Sequence, residues 1–214
     1  MTRGDASVDF RLYLITDRGQ SNQRDLLAVV EEALSGGVGA VQLREKALPA
    51  REYFELAQVM RALTTRYGAR LLVNDRVDIA MAVGADGVHL PETGLPISVA
   101  RELLGPAKLI GVSCHSRDMA LVAEREGADF ITFGPVYHTP SKAIFGDPVG
   151  VASLVKATQS LSIPVFALGG VNRDRVSELL AAGIHRVALV SAILAAPAPG
   201  AEAKAFITLL DKAA

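Results

Sequence analysis

The sequence predicts a single α/β barrel of the TIM (β/α)8 type, and three observations predict it. Short apolar runs alternate with helical patterns eight times along the 214 residues. The runs are apolar on both faces of the predicted strands, which is typical of parallel strands covered by helices. Glycine follows several helical patterns at the position where a left-handed cap ends a helix. Eight strand and helix pairs favour closure into a barrel over an open sheet.

Each strand is predicted from β-branched or apolar residues, and each helix from apolar residues spaced three and four apart. The predicted strands are residues 10–16, 40–44, 70–73, 87–90, 108–113, 129–133, 163–168 and 186–190. The clearest helical patterns are 25–34, 50–67, 118–126 and 173–182, and a last helix at 201–214 follows an Ala/Pro-rich loop. No linker interrupts the series. We therefore expect one domain over 1–214, with 1–9 as a loose N-terminal segment.

Composition narrows the classes of partner. The formal net charge is −1 and the pI is about 6.4, so no positive field extends over the chain to attract nucleic acid or an anionic membrane. Cys114 is the only cysteine, which excludes an internal disulfide and fits a reducing compartment. The polar start lacks the apolar core of a signal peptide, and no apolar run reaches membrane-spanning length. We expect a cytoplasmic protein that acts on small molecules, and a homo-oligomer is left open.

Charged and hydroxyl residues lie at the ends of the predicted strands, among them Arg44, Asp75, Asp86, Ser113 and Lys142. The loops after the strands of a barrel gather on one face, so we expect these side chains to converge. Carboxylates are hard ligands that suit Mg²⁺, and Arg and Lys neutralise phosphate oxygens. The set predicts an enzyme that binds a magnesium-bound diphosphate. Simpler roles stay open for single residues: Asp75 as a helix cap, Asp86 as a turn residue and Lys142 as a solvated charge.

Six motifs in a fixed order cover most of the chain. They are Gln42-Leu43-Arg44-Glu45-Lys46, Asn74-Asp75-Arg76-Val77-Asp78, Ala85-Asp86-Gly87-Val88-His89-Leu90, Gly111-Val112-Ser113-Cys114-His115, Thr139-Pro140-Ser141-Lys142 and Gly169-Gly170-Val171. Together they resemble the motifs of the thiamine phosphate synthase family. The resemblance implies a TIM barrel that joins 4-amino-5-hydroxymethyl-2-methylpyrimidine diphosphate to 4-methyl-5-(2-phosphoethyl)thiazole, with release of pyrophosphate.

The resemblance also implies a role for each matching residue. The expected Mg²⁺ ligands are Asp75 and Asp86. The expected diphosphate contacts are Arg44, Lys46, Asn74, Ser113 and Lys142, and of these Arg44, Lys46, Ser113 and Lys142 form the catalytic group. Gln42 would contact the pyrimidine. The expected thiazole phosphate contacts are Thr139, Ser141, Gly170, Val190 and Ser191. Diphosphate leaves only when its developing charge is neutralised, so a dissociative step needs these cations and no protein nucleophile.

One loop departs from the family pattern. The family usually continues Gly-Gln-Glu-Asp after His89-Leu90, whereas this chain has Pro91-Glu92-Thr93-Gly94, which resembles the related thiazole tautomerases. Tautomerases use a histidine two residues after the sixth-strand Phe, where this chain has Pro135. Lys46, Asn74 and Asp75 favour the synthase, while His138 keeps the tautomerase as an alternative. A non-catalytic phosphate-binding barrel is a third hypothesis, and it would need no paired carboxylates.

Overall fold

Eight parallel strands form a closed barrel in the computed structural model, which describes residues 7–139 and 147–212. Each strand pairs with the next along the chain, and β8 closes the barrel by pairing with β1. Leu14 on β1 lies opposite Leu189 on β8 and opposite Val41 on β2. The predicted TIM barrel is confirmed.

The strand and helix bounds follow the predicted pattern closely. The strands are β1 Leu12–Ile15, β2 Ala40–Leu43, β3 Arg70–Asn74, β4 Gly87–Leu90, β5 Leu109–Cys114, β6 Phe130–Phe133, β7 Val165–Leu168 and β8 Val187–Leu189. The helices are α1 Leu26–Ser35, α2 Ala50–Arg66, α3 Val77–Ala82, α4 Ile97–Leu104, α5 Arg117–Glu126, α6 Gly150–Gln159, α7 Arg173–Ala181, α8 Ser191–Leu194 and α9 Pro199–Asp211. A 3-10 helix at Arg18–Gln20 follows β1.

Side-chain caps begin three of the helices. Asp25 accepts from the amide of Ala28 at the start of α1, and Ser116 and Asn172 cap α5 and α7 in the same way. Each cap satisfies an amide that has no acceptor inside the helix. Gly127, with φ 100°, ends α5 in the left-handed conformation. These local signals set where the chain turns back toward the sheet.

The interior of the barrel is apolar at the amino end and polar at the carboxyl end. Phe10, Tyr13, Phe130 and Phe166 stack with ring centroids 5.2 to 5.8 Å apart. They fill the space below the mouth. The inward positions above them are polar on several strands, at Gln42, His89, Ser113 and Thr132. A separate, larger core packs the helices onto the outside of the strands.

Residues 8–11 and helix α9 lie at the amino face of the barrel. Val8 packs against the inner core, and Asp9 forms an ion pair with Arg70 at 2.9 Å, so the end of the predicted loose segment 1–9 is held. Arg11 donates to the carbonyl of Leu210 in α9. No helix in the described ranges is long and apolar enough to cross a membrane.

Candidate active site

Strand register brings the predicted site residues of β2 to β5 to one end of the barrel. Leu43 lies opposite Val73, so Arg44 and Asn74 leave their strands at the same level. Asn74 lies opposite His89 on β4, and Ser113 is the fifth residue of β5. Gln42 is buried just inside this rim. The carboxyl ends of the strands therefore gather amide, hydroxyl and cationic groups around one opening, as predicted for a barrel.

Two cations that follow β2 have no counter-ion among the described residues. Arg44 is half-buried and its amide donates to Thr16 Oγ1 at 2.9 Å, while Lys46 is exposed. Within the part of the chain that the structure describes, neither side chain forms an ion pair. Burial, with the positive charge of Arg44 as a second cause, lowers the pKa of His89 to about 3. Arg44 therefore contributes positive charge close to the polar interior of the barrel mouth.

Asp75 directly follows β3 in a left-handed backbone conformation. Its φ is 64°, which is uncommon for a residue other than glycine, and its amide donates to the carbonyl of His89 at 3.0 Å. The β4–α4 loop passes close to it, because a Cβ added to Gly94 would lie 3.0 Å from Asp75 Oδ1. The carboxylate is exposed at the rim. Backbone strain of this kind often marks a functional site.

Asp86 does not lie in the site, and its assignment as the second magnesium ligand is wrong. It precedes β4 at the amino end of the barrel, whereas Asp75 follows β3 at the carboxyl end. Asp86 Oδ2 accepts from the amide of Leu71 at 2.7 Å and from Arg61 at 2.5 Å. Its carboxylate is therefore used to join α2 and β3 to the start of β4.

A repeated tripeptide in the sequence indicates the structural role of Asp86. Gly84-Ala85-Asp86 recurs as Gly127-Ala128-Asp129 before β6. Asp129 Oδ2 accepts from the amide of Ile110 at 2.7 Å and from Arg101 at 2.5 Å, which repeats the contacts of Asp86 two strands earlier. The same sequence before two strands indicates a structural device of the amino end.

A buried chain of polar side chains crosses the barrel below the rim. Gln42 Nε2 donates to the Tyr13 hydroxyl at 3.1 Å, and that hydroxyl lies 3.3 Å from His89 Nδ1. His89 Nε2 lies 3.0 Å from Ser113 Oγ and 3.4 Å from Thr132 Oγ1. Sequence reasoning missed Tyr13, His89 and Thr132. The sequence does indicate such residues, because side chains of a strand point to alternate faces and these polar residues occupy inward positions of otherwise apolar strands.

The ends of β7 and β8 form the other side of the rim. Gly169 and Gly170 have φ of 96° and 66°, and a Cβ on Gly170 would lie 2.8 Å from both His138 O and Tyr137 Cβ. Arg175 donates to the carbonyl of Gly170 at 2.5 Å, which holds this turn.

Next to this turn, Val190 and Ser191 follow β8, where Ser191 starts α8. The amides of Ile193 and Leu194 both donate to the carbonyl of Val190, which closes this single turn. Thr139 is half-buried just after His138. Ser141 and Lys142 lie outside the described residues.

Cys114, at the end of β5, is buried. Burial, and to a lesser extent the charge of Glu92, raises the pKa of its thiol to about 12. The thiol therefore stays protonated near neutral pH, and a reactive thiolate is excluded. This confirms that Cys114 is a small buried residue.

Comparison with known proteins assigns the chain to a family. The family model described as thiamine monophosphate synthase matches residues 12–193, from the first strand to the short helix after the last. The chain belongs to this family. A relative from Geobacter sulfurreducens named putative thiamine-phosphate synthase is 64% identical over 205 residues, covering 96% of each chain. The thiamine-phosphate synthase of Clostridium novyi is 42% identical, covering 87% of this chain and 92% of the relative.

Solved structures agree with the family. The thiamine phosphate pyrophosphorylase of Pyrococcus furiosus superposes with a TM-score of 0.87 at 38% identity, covering 95% of this chain and 96% of that one. The thiamine-phosphate synthase fold, the enzyme class of transferase and the predicted family are thus confirmed. The tautomerase alternative is not favoured by any of these comparisons.

Proposed function

We propose that this thiamine phosphate synthase joins 4-amino-5-hydroxymethyl-2-methylpyrimidine diphosphate to 4-methyl-5-(2-phosphoethyl)thiazole in the barrel mouth. The observation that carries the proposal is the pair of rim cations, Arg44 and Lys46, which form no ion pair with any described residue, above the buried amide of Gln42 and the half-buried hydroxyl of Ser113. Cations at the rim suit the diphosphate, and buried polar groups below suit a heteroaromatic ring.

Mg²⁺ fits the oxygen donors on the diphosphate side of the rim. Asp75 supplies an exposed carboxylate and Asn74 an amide oxygen, and Mg²⁺ in such sites uses one or two carboxylates with substrate phosphates. We assign Glu92, on the loop that passes Asp75, as the second carboxylate in place of Asp86. Among the described residues, no group of three His, Cys, Asp or Glu side chains is suited to a metal. Bound Mg²⁺ would neutralise charge on the leaving diphosphate.

The protein's own groups would stabilise the departing anion. The methylene carbon–oxygen bond breaks, the diphosphate keeps the electron pair, and the aminopyrimidine carries the positive charge. Arg44 and Lys46, with Lys142 by resemblance, would face the charge that develops on the diphosphate, and Ser113 would donate a hydrogen bond to it. The thiazole nitrogen then supplies the pair for the new carbon–nitrogen bond. No step needs a side chain to form a bond with substrate.

The thiazole phosphate would bind at the ends of β7 and β8. The glycine turn at Gly169 and Gly170 permits close backbone approach, and by resemblance the Val190-Ser191 turn would offer backbone N–H groups. By resemblance, Thr139 and Ser141 would complete this subsite. The two substrates would thus enter from opposite sides of one opening, which brings the nitrogen to the methylene carbon.

A two-substrate assay with purified protein tests the proposal. We expect pyrophosphate release that requires both substrates, and loss of that release when EDTA removes the divalent cation. Arg44→Ala and Lys46→Ala should each lower kcat/KM about 100-fold, because each removes a cation from the leaving group. Arg125→Ala, which removes an exposed cation from the last turn of α5, is the matched control and should retain full activity.

Two results would reject the proposal. One is the absence of pyrophosphate release when both substrates are present, together with isomerisation of a thiazole carboxylate phosphate. That result would identify a tautomerase. The other is equal activity of Arg44→Ala and Arg125→Ala, which removes the assigned anion site.

A further inference from the structure

Two fully buried residues, Tyr13 and His89, link the groups proposed to contact the two ends of the pyrimidine substrate. Tyr13 is 0% and His89 is 1% exposed. The Tyr13 hydroxyl contacts Gln42 on one side and His89 Nδ1 on the other, and His89 Nε2 contacts Ser113. The proposed reaction uses Gln42 and Ser113 directly but assigns no role to the two residues between them.

Packing fixes the imidazole of His89 in this chain. Gly111 on the neighbouring strand leaves space for it, because a Cβ there would lie 2.7 Å from His89 Nδ1 and 2.3 Å from Phe130 Cζ. The ring centroids of Tyr13 and Phe130 lie 5.8 and 5.7 Å from that of His89. The ring cannot turn away without displacing this aromatic cluster, so its two nitrogens stay directed at Tyr13 and Ser113.

The hydrogen bonds from Gln42 to Ser113 can run in two directions, which differ in the His89 nitrogen that carries the proton. The imidazole of His89 is buried, and its two nitrogens contact hydroxyl groups and no carboxylate of the described residues, so the ring is neutral and carries one N–H. If Nε2 carries the proton, His89 donates to Ser113, Tyr13 donates to Nδ1, and the Gln42 amide nitrogen donates to Tyr13. If Nδ1 carries the proton, every bond is reversed, and Gln42 would have to turn its carbonyl oxygen toward Tyr13.

The charge of the substrate selects the first direction. Diphosphate oxygens near neutral pH are hydrogen-bond acceptors, so Ser113 must direct its own proton toward them. Its oxygen then has to accept from His89 Nε2, which requires Nε2–H. The remaining bonds follow in turn, and they leave the carbonyl oxygen of Gln42 without a partner in the described part of the chain. The side chain donates from Nε2 to Tyr13 in the structure, in agreement with this direction.

We propose that Tyr13 and His89 are positioning residues of a one-way hydrogen-bond relay, through which Gln42 presents its carbonyl oxygen to the pyrimidine amino group while Ser113 presents its hydroxyl proton to the diphosphate. The identity of both contacts rests on the proposed function. The relay makes the amide orientation of Gln42 a specificity determinant. A reversed amide would present its NH2 group and would therefore favour a pyrimidine with a 4-oxo group.

Nitrogen-15 NMR of the substrate-free protein tests the direction of the relay. The chemical shifts of the His89 ring nitrogens identify which one carries the proton. We expect Nε2–H in the wild type. A mixture of the two tautomers is expected in Tyr13→Phe, where Nδ1 has lost its donor. Nδ1–H in the wild type would overturn the proposal, and this outcome is independent of any assayed activity.

Binding of two pyrimidine monophosphates tests the consequence for specificity. Calorimetry compares the 4-amino-5-hydroxymethyl-2-methylpyrimidine monophosphate with its 4-oxo analogue. We expect the wild type to prefer the amino compound by at least about 30-fold, and Tyr13→Phe to reduce that preference below about 3-fold. Tyr53→Phe is the matched control, because its buried hydroxyl donates to the carbonyl of Leu43 outside the relay. It should keep the wild-type preference.

The outcomes separate this inference from the proposed function. An unchanged amino preference in Tyr13→Phe would overturn the relay while pyrophosphate release by the wild type still supports the synthase. Equal loss of preference in Tyr53→Phe would also overturn it, since any buried tyrosine hydroxyl would then suffice. If Tyr13→Phe does not fold, the tautomer of the wild type decides.

Discussion

The carboxylates of Asp75 and Asp86, both predicted to bind Mg²⁺, have different surroundings in the structure. Asp86 is 20% exposed and accepts from a backbone amide and from Arg61, whereas Asp75 is exposed and has no ion pair in the described part of the chain. Asp86→Asn should therefore lower the free energy of unfolding by about 2 kcal/mol, because Arg61 loses its charge partner. Its kcat should stay within about threefold of the wild type.

Asp75→Asn is the matched comparison and should behave in the reverse way. Unfolding free energy should change by less than about 0.5 kcal/mol, since an exposed and unpaired carboxylate stabilises little. The rate of pyrophosphate release should fall by about 100-fold or more. Urea unfolding and steady-state kinetics of both variants check the contrast. A larger kinetic defect in Asp86→Asn than in Asp75→Asn would restore the assignment that the structure rejects.

The buried imidazole of His89 should lower the free energy of unfolding in mild acid. Its pKa is lowered from 6.5 to about 3 by burial, so below pH 6.5 the unfolded chain takes up a proton that the folded protein does not. Stability from this residue is complete above pH 6.5 and declines as pH falls toward 3. Between pH 7 and pH 5 the expected loss is about 2 kcal/mol.

Denaturant unfolding at the two pH values measures this effect, and His89→Gln supplies the comparison. The variant is less stable at pH 7 but should lose about 2 kcal/mol less than the wild type on acidification, because glutamine does not titrate. Identical pH dependence in the two proteins would mean that other groups cause the acid sensitivity.

At the scale of elements, two glycine variants distinguish the effect of backbone strain from an effect on the geometry of the site. Gly170 and Gly183 have positive φ of 66° and 80°, but only Gly170 has atoms within contact distance of an added Cβ. Gly183→Ala should lower stability by about 1 kcal/mol through conformational strain alone. Gly170→Ala should cost more, since its methyl group meets His138 O and Tyr137 Cβ, and should raise the KM for the thiazole phosphate at least about tenfold.

Kinetics with the thiazole phosphate as the varied substrate distinguishes the two variants. The KM for the pyrimidine diphosphate should be unchanged in both, because Arg44, Asp75 and Ser113 lie at the ends of other strands. A selective change in the KM for the pyrimidine diphosphate would mean that the glycine turn belongs to the pyrimidine subsite and not to the thiazole subsite.

For the whole molecule, binding of metal and anion should appear as added thermal stability. A ligand that binds only the folded state at 100 times its Kd stabilises by about 2.7 kcal/mol, which corresponds to a Tm increase of about 5 to 10 °C for a chain of this size. We expect this increase with Mg²⁺ and pyrophosphate together and a smaller one with either alone.

The Tm increase should be lost in Asp75→Asn and reduced in Glu92→Gln, yet retained in Asp86→Asn after its lower starting Tm is subtracted. Differential scanning fluorimetry measures all four proteins without assaying catalysis. Full retention in Asp75→Asn would remove the proposed metal site from the end of β3.

The barrel, the order of its elements and the family could all be predicted from the amino-acid sequence. Alternation of apolar runs with helical patterns is a local property, and capping residues such as Asp25 and Asn172 act within one turn, so both are legible along the chain. Strand-end residues Arg44 and Asn74 were found for the same reason, since their place follows from where a strand stops.

The contacts of residues near strand boundaries depend on the tertiary structure, although the predicted strand at 87–90 already places Asp86 before its strand. Asp86 and Asp75 are both next to strands, but one enters at the amino end and the other leaves at the carboxyl end. The structure also brought together Tyr13, His89 and Ser113, which are far apart in sequence. Contacts across a barrel interior depend on register and closure between strands, and no local pattern encodes them.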